Sequence, residues 1–200
     1  MELDHLAVAG ESLEAAAAHV EEALGVPLQA GGSHAMFGTH NRLLGLAEGL
    51  YLEAIAVDPE AEPQQRPRWF DLDRFKGPPR ISNWICRCGD LEAALAGLPD
   101  AAGQPLALSR GDLRWRMAVP KDGILPFQNM FPALIEWQGG HPAPRLTQRG
   151  CALRRLVVAH PQAAALCKML GLRDGRVVFE AGRGGYEAEF DTPHGLRVLR

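Results

Sequence analysis

The amino-acid sequence predicts an α+β fold in which one unit, a strand followed by a helix and three more strands (βαβββ), occurs twice and is followed by a partial third copy. Two observations carry this prediction. A strand-like segment leads through a helix-capping residue into an amphipathic helix near the start of the chain, and the same order of segments returns in the middle. Each helix is then followed by segments in which apolar and polar residues alternate, as they do in strands.

The first copy begins with a short strand pattern at residues 3–9, LDHLAVA. Ser12 follows as a candidate N-cap residue, because its hydroxyl can accept a hydrogen bond from a free backbone N–H at the start of a helix. Gly25 and Pro27 mark the end of that helix. Between these signals, apolar residues recur at the spacing that forms one face of a helix: Leu13, Ala16, Ala17, Val20 and Leu24.

The second copy begins with a strand pattern at residues 81–87, ISNWICR, and Asp90 is its candidate N-cap residue. The tetrapeptide Leu-Glu-Ala-Ala occurs at residues 13–16 and again at residues 91–94, where each helix begins. Aligning these two segments requires no gap back to the preceding strands. The alignment places Asn83 of the second copy opposite His5 of the first.

Three further strands are predicted in each copy, at residues 33–38, 40–47 and 50–57 in the first and at residues 106–109, 113–119 and 133–138 in the second. The last strand of each copy holds one acidic residue among apolar ones, Glu53 and Glu136. When an insertion is allowed in the second copy, these two acids become counterparts.

The predicted organisation is a first module at residues 1–58, a linker at 59–79, a second module at 80–145 and an auxiliary partial module at 150–200. The linker is rich in proline and charged residues. The auxiliary module begins with LRRLVVA, which superposes on LDHLAVA and places Arg155 where the first copy has His5. We expect this module to pack on the other two and to bind no metal.

Composition argues against two classes of partner. A formal net charge of −3 gives no basic surface for nucleic acid. No apolar run reaches the roughly 18 residues that a membrane-spanning helix needs, and the first residues lack the basic region of an export signal. We therefore expect a cytoplasmic protein that binds a small molecule, with neither nucleic acid nor membrane as a partner.

The acidic residues in the last strands form the first candidate site. If the modules pair about a pseudo-twofold axis, four strands bring together His5, Glu53, Asn83 and Glu136. One imidazole and two carboxylates suit a divalent metal such as Zn, Fe, Mn, Ni or Mg, with the Asn83 amide as a weak ligand. The alternative is that His5 hydrogen-bonds a carboxylate and both glutamates pair with arginines, in which case no metal binds.

A second cluster of candidate residues lies at residues 33–42. His34, His40 and Asn41 supply donors and acceptors for a polar substrate, and Gly38 permits a close approach of the backbone. The alternative interpretation is a turn whose polar residues face water.

Arginines on the strand at residues 113–119 are a further candidate. Arg114 and Arg116 share one face of that strand, and the Arg116 guanidinium could hold a substrate carboxylate through two hydrogen bonds. The alternative is a solvated face.

These segments resemble the vicinal oxygen chelate superfamily of glyoxalases, extradiol dioxygenases and bleomycin-resistance proteins, and most closely its uncharacterised glyoxalase-like proteins. The matching motifs are LDHL at residues 3–6, GTHN at 38–41, YLE at 51–53 and IEW at 135–137, so the resemblance covers about residues 1–140. It implies a U-shaped mixed-sheet cavity formed by the paired modules, with metal ligands on the first and last strands of each. His5, Glu53 and Glu136 match that pattern, whereas Asn83 departs from it because the superfamily usually has His, Glu or Gln there.

The resemblance implies a metal-dependent lyase, isomerase or ring-cleaving dioxygenase that acts on a small oxygen-rich or carbonyl substrate. The metal would act as a Lewis acid, and Glu53 or Glu136 would act as the general base. The alternative is a metal-free protein that sequesters a small molecule, as bleomycin-resistance proteins do. A homodimer held together by residues 150–200 is a further hypothesis.

Overall fold

The computed structural model describes residues 1–62, 64–172 and 174–200. Within them the strands are β1 (Glu2–Ala9), β2 (Gln29–His34), β3 (Thr39–Gly45), β4 (Tyr51–Val57), β5 (Arg80–Arg87), β6 (Gln104–Arg110), β7 (Leu113–Val119), β8 (Ala133–Trp137), β9 (Ala152–Ala159), β10 (Val177–Glu180), β11 (Gly185–Thr192) and β12 (Gly195–Leu199). The α-helices are α1 (Leu13–Leu24), α2 (Leu91–Leu95) and α3 (Ala163–Leu170). Short 3-10 segments lie at Ala47–Gly49, Trp69–Arg74, Asp100–Ala102 and Ala143–Arg145.

Eight strands form one mixed sheet in the order β2-β3-β4-β1-β5-β8-β7-β6. In each of the two modules the first strand pairs in parallel with the last, β1 with β4 and β5 with β8. The modules join where β1 and β5 pair in antiparallel fashion at the centre of the sheet. The predicted α+β fold with two paired βαβββ units and a concave, U-shaped sheet is confirmed.

The two outer strands of this sheet approach one another. A Cβ atom added to Gly32 on β2 would lie 2.9 Å from Cδ of Arg110 on β6. Such a contact requires the sheet to curl through a large part of a barrel, which its eight twisted strands allow. The concave face is therefore a deep trough whose rims meet at Gly32 and Arg110.

The last four strands form a second sheet in the order β10-β9-β11-β12. Its first strand, β9, pairs in parallel with β10 and in antiparallel fashion with β11. This order differs from that of the two modules, in which the first strand pairs with the last. The second sheet packs against the first through Trp84 and Phe179, whose ring centroids are 6.0 Å apart.

The first helix forms where the sequence predicts it. The Ser12 hydroxyl accepts a hydrogen bond from the backbone N–H of Ala15, and Gly25 ends the helix in the left-handed conformation with φ of 73°. The residues of the predicted apolar face are all buried: Leu13, Ala16, Ala17, Val20 and Leu24. Helix α2 has five residues, of which Leu91 is buried.

Strand β2 lies earlier than the predicted strand at residues 33–38. It runs from Gln29 to His34, and the chain then turns, with the N–H of Phe37 donating to the carbonyl of His34 and Gly38 at a φ of 54°. Residues 29–32 carry no apolar alternation because two of them are glycine, so the strand leaves no periodic signal in the sequence.

The segment between the modules closes part of the trough. Its 3-10 turn, Trp69–Arg74, buries Trp69, Phe70 and Leu72. Trp69 stacks on Phe37 with ring centroids 4.1 Å apart and on Phe70 with centroids 5.2 Å apart. This connection therefore contributes an aromatic wall to the concave face. No helix in the described ranges combines the length and apolar content needed to cross a bilayer.

Candidate functional site

A cavity of about 30 Å³ lies in the concave face of the eight-stranded sheet. A surface groove of about 280 Å³ runs beside it along the seam between β2 and β6, and the two spaces share His34 and Trp115. A volume near 30 Å³ has room for only a very few water molecules. A larger ligand therefore has to extend into the groove. The cavity is lined by His5, His34, Asn41, Leu43, Tyr51, Glu53, Trp69, Phe70, Arg110, Trp115, Met117, Ile135 and Trp137.

A buried aspartate orients the imidazole of His5. Nδ1 of His5 lies 2.6 Å from Oδ1 of Asp4, and both residues are buried. An ionised carboxylate only accepts hydrogen bonds, so Nδ1 carries the proton and donates it to Asp4. Nε2 of His5 lies 3.5 Å from the Tyr51 hydroxyl and 3.7 Å from Oε2 of Glu53.

A bulge in β1 explains how Asp4 and its neighbour His5 reach one another. Leu3 pairs with Cys86 and His5 pairs with Ile85, so Asp4 is an extra residue on β1. Neighbouring side chains on a regular strand point to opposite faces, but a bulge re-aims one of them. The irregularity brings the Asp4 carboxylate beside the His5 ring.

Asp4 is the centre of a network that spans both modules. Its Oδ2 accepts hydrogen bonds from Nε1 of Trp137 at 3.1 Å and Nε2 of His141 at 2.9 Å. His141 is fixed in that tautomer because its Nδ1 accepts from the N–H of Ala143. Burial alone would raise the pKa of Asp4, but the hydrogen bonds from His141 and His5 outweigh it and hold the pKa well below its ordinary value. Asp4 therefore stays ionised.

Glu53 is held in place by an asparagine. Nδ2 of Asn41 donates to Oε1 of Glu53, and Oδ1 of Asn41 accepts from the N–H of Gly32 at 2.8 Å. Because Oε1 is occupied, Oε2 of Glu53 is the oxygen that faces His5. The cavity thus contains an imidazole nitrogen and a carboxylate oxygen side by side.

Arg110 and His34 complete the polar side of the cavity. Nη1 of Arg110 donates to Nε2 of His34 at 3.2 Å and to Oδ1 of Asn41 at 3.3 Å. Since Nε2 of His34 accepts, its Nδ1–H donates to Oγ1 of Thr39 at 3.1 Å. Burial lowers the pKa of His34 to about 4; the carboxylate of Glu53 opposes this shift, and the charge of Arg110 adds to it.

The lowered pKa of His34 predicts a loss of stability in weak acid. The unfolded chain takes up the proton near the ordinary pKa of 6.5, whereas the folded chain does so only near 4, so stability is lost as the pH falls through that window. Between pH 7 and pH 5 this one residue should remove about 2 kcal/mol from the free energy of unfolding. Urea titrations at both pH values should show that, between pH 7 and pH 5, the free energy of unfolding falls less in His34→Gln than in the unaltered protein. An equal loss in the two proteins would contradict the assignment.

The structure does not bring Glu136 into the cavity with the other predicted metal ligands. Ile135 and Trp137 line the cavity, so Glu136 between them points to the opposite face of β8. There its Oε2 accepts hydrogen bonds from the N–H of Leu91 at 2.8 Å and from Nη2 of Arg116 at 2.5 Å. The pKa of Glu136 is lowered by these bonds.

Strand register identifies the true counterpart of Glu53. Glu53 pairs with Ala7 on β1. The helix alignment makes Ile85 the counterpart of Ala7, and Ile85 pairs with Ala133 on β8. The second module therefore has a methyl group where the first has a carboxylate. The sequence alignment, which matched Glu53 to Glu136, placed its insertion to fit the acids rather than the strand pairing.

The predicted substrate-binding residues, which include Asn83, fall into three groups. His34 and Asn41 line the cavity. His40 lies on the other face of β3, near Asp58, and Arg116 forms ion pairs with Glu92 and Glu136 outside the cavity. Asn83 is fully buried across from Ala7, and neither atom of its amide group has a hydrogen-bond partner within the described residues.

Several residues of the cavity carried no recognised signal in the sequence. The bulge that turns Asp4 toward His5 leaves no pattern in the sequence. Arg110 reaches the cavity because strands β2 and β6 approach one another, and Trp69 reaches it because the linker packs on the sheet. Tyr51 stacks on His5 with centroids 4.2 Å apart, and burial raises its pKa well above the ordinary value. The motifs LDHL and YLE contain Asp4 and Tyr51, so both residues could have been recognised there.

The donor set of the cavity does not fit a divalent metal bound by both modules. His5 and Glu53 supply two good donors from the first module, but the counterpart positions hold Asn83 and Ala133, of which only the amide can coordinate. Protein zinc sites use three or four donors. Across the described ranges, no further His, Cys, Asp or Glu completes a three-residue group with His5 and Glu53.

One group of acids elsewhere in the described residues has a spacing that could hold a metal. It consists of Asp90, Glu92 and Glu136, whose oxygens lie within 4.8 Å of one another. Asp90 and Glu92 are exposed, and Arg116 already donates to Glu92 and Glu136. The cluster lies on the convex side of the sheet, away from the cavity.

The two modules with parallel first and last strands, joined around a concave cavity, define a vicinal oxygen chelate protein. The model of the glyoxalase-like domain family matches residues 3–171. The chain belongs to this glyoxalase-like domain family, part of a superfamily whose members often use a divalent metal. A comparison with curated protein sequences gives no match.

Solved structures with the same fold include a hypothetical protein from Staphylococcus aureus, with a TM-score of 0.60 and 14% identity over 94% of this chain and 80% of that one. Methylmalonyl-CoA epimerase from Mycobacterium tuberculosis has a TM-score of 0.45 and 21% identity over 70% of this chain and 88% of that one. A variant of the Streptomyces coelicolor methylmalonyl-CoA epimerase, in complex with 2-nitronate-propionyl-CoA, has a TM-score of 0.44 and 18% identity over 70% of this chain and 99% of that one. The first likeness supports the fold across both sheets.

Proposed function

We propose that this protein is an enzyme that moves a proton at a carbon beside the carbonyl group of a small substrate, without a resident metal. The observation that carries the proposal is the Asp4–His5 pair, which fixes the proton on Nδ1 and leaves the lone pair of Nε2 facing the cavity. A histidine oriented in this way by a carboxylate is a standard general base.

The charges around His5 suit proton abstraction. When Nε2 takes a proton, the ring becomes cationic between Asp4, 2.6 Å from Nδ1, and Glu53, 3.7 Å from Nε2. Two carboxylates beside an imidazolium stabilise it. Glu53 can then carry the proton onward, because its Oε2 has no other partner among the described residues.

Trp69 is a candidate donor for the negative charge that develops on the carbonyl oxygen. Trp69 lines the cavity, and its buried Nε1–H has no hydrogen-bond partner in the described part of the chain. An unpaired buried donor costs free energy in the empty protein, and an acceptor on the substrate would remove that cost. Preorganised donors of this kind stabilise enolate-like transition states.

Deuterium exchange into small carbonyl compounds tests the proposal. Pyruvate, pyruvamide and dihydroxyacetone would be incubated with the protein in D₂O, and the loss of C–H signals followed by proton NMR. We expect catalysed exchange in at least one compound and a decrease of about 10²-fold in its rate for His5→Gln. His40→Gln is the matched control, because His40 lies on the other face of the sheet.

The outcomes separate the competing functions. No exchange dependent on His5 across the panel would overturn the proposal, and ligand binding without exchange would favour the sequestering protein. The metal-dependent enzyme suggested by the resemblance predicts exchange only after Mn, Fe, Ni or Zn is added to chelator-treated protein. Exchange that is unchanged by chelation supports the metal-free route.

A further inference from the structure

We infer that Arg110 binds a carboxylate group of the substrate, so that the substrate class is a small carboxylic acid with a carbonyl beside the carboxylate. The inference rests on the proposed function for the reaction at His5. The claim about binding depends on Arg110 itself and can be tested separately.

Eight of the described arginines have no carboxylate oxygen within 4.0 Å, and among these eight Arg110 is the one that lines the cavity. Nine other arginines lie within 4.0 Å of a carboxylate oxygen, whereas none of the described carboxylates lies that close to Arg110: Arg68, Arg74, Arg87, Arg116, Arg145, Arg154, Arg155, Arg176 and Arg200 are the paired ones. The acceptors of Arg110 are two neutral groups, on His34 and Asn41.

The guanidinium has hydrogen-bonding capacity to spare. Both of its bonds use Nη1, and no described residue accepts from Nε or Nη2. Those two nitrogens form the fork that matches the two oxygens of a carboxylate. Arg110 is half-buried in the wall of the cavity, where an unpaired charge is more costly than in open water. An anionic ligand would therefore gain a strong, directional contact.

The chain makes room for this arginine at the rim of the trough. Gly32 on β2 faces the Arg110 side chain, and a Cβ atom there would lie 2.9 Å from its Cδ. At the neighbouring Gly31, a Cβ atom would lie 2.0 Å from Oδ1 of Asn41. The paired glycines thus make room for the side chains of Arg110 and Asn41, and Asn41 connects Arg110 to Glu53.

The position of Arg110 relative to the base fits the reaction. Asn41 accepts from Arg110 through Oδ1 and donates to Glu53 through Nδ2, so one side chain separates the cation from the carboxylate that faces His5. A carboxylate held by Arg110 would direct the adjacent carbonyl and its neighbouring carbon toward His5. The groove beside His34 and Trp115 leaves space for a longer substituent.

A competing explanation is that Arg110 has only a structural role and holds β6 against β2 and β3 through its hydrogen bonds to His34 and Asn41. A fastening role predicts loss of stability without selectivity for charge. Ligand selectivity therefore decides between the two explanations.

Titration of tryptophan fluorescence provides the test, because three of the four tryptophans, Trp69, Trp115 and Trp137, line the cavity. We expect pyruvate to bind the intact protein at least tenfold more tightly than its neutral analogue pyruvamide. Arg110→Gln should abolish that preference and leave pyruvamide binding unchanged, and Arg110→Lys should restore part of it. Arg114→Gln, which removes an exposed arginine from the opposite face, should behave like the unaltered protein.

Each result has a defined meaning. Equal binding of pyruvate and pyruvamide, no binding of either, or a preference that survives Arg110→Gln would overturn the inference. Charge-selective binding that depends on Arg110, without exchange that depends on His5, would support it and contradict the proposed reaction. Exchange that depends on His5 but is unchanged by Arg110→Gln would support the proposed reaction and contradict the inference about Arg110.

Discussion

Replacement of Asp4 by alanine is expected to lower the free energy of unfolding by about 3–5 kcal/mol at pH 7. The carboxylate is fully buried and accepts hydrogen bonds from His5, Trp137 and His141. Without it, the buried His5 and the partly buried Trp137 and His141 lose their acceptor at once, and each unsatisfied group carries a desolvation penalty that grows with its burial. The effect should exceed that of any single exposed ion pair in the chain.

Urea unfolding of Asp4→Ala beside Asp112→Ala measures this difference. Asp112 pairs with Arg145 on the surface, where water screens the ion pair, so its removal should cost much less than that of Asp4. Because the pKa of Asp4 is lowered on folding, its contribution should persist at pH 5 and decline only as the pH falls below the ordinary aspartate value of 3.8. A loss below about 1 kcal/mol for Asp4→Ala would show that the network is not a major source of stability.

Replacement of Trp84 by alanine is expected to cost a similar 3–5 kcal/mol, roughly the range measured for buried aromatic residues. Trp84 is fully buried, its Nε1–H donates to the carbonyl of Met130 at 2.9 Å, and its ring contacts Phe179 of the second sheet. The substitution removes packing between the two sheets and leaves a buried carbonyl without its donor. Both changes weaken the same interface.

Thermal unfolding followed by tryptophan fluorescence and by far-ultraviolet circular dichroism tests this prediction. All four tryptophans lie in the first 137 residues, so fluorescence reports the larger sheet and circular dichroism reports both. In Trp84→Ala the remaining three serve as the probe. Met36→Ala, at a residue that is 44% exposed, is the control and should change stability by less than about 0.5 kcal/mol. Equal stability of Trp84→Ala and the control would contradict the proposed role of the interface.

Local patterns were sufficient to predict most of the fold. The capping residues Ser12 and Asp90 and the apolar face of the first helix are local signals, and both helices begin where those signals stand. The pairing of the modules followed from their repetition. Strand β2 was misplaced because Gly31 and Gly32 interrupt any alternation, and the strand is specified by its partner β3 rather than by its own residues.

The candidate site was harder to predict because it depends on register and closure. Glu53 can be proposed from the sequence because it is an acidic residue in an otherwise apolar strand, and His5 because the helix alignment places it opposite Asn83. Glu136 has the same local pattern, yet a displacement by one position along a strand reverses the face on which a side chain lies. The contribution of Arg110 depends on contact between the outer strands β2 and β6, which no local pattern reports.

The network around Asp4 also sets the order in which the protein can acquire its function during synthesis. Asp4 belongs to the first strand, whereas Trp137 ends the last strand of the second module and His141 follows it. Contacts between residues so distant in sequence form slowly, since a long loop must close first. A nascent chain that has emerged only through its first module contains His5 and Glu53 but holds Asp4 without two of its donors. The network around Asp4 is therefore complete only after both modules have left the ribosome.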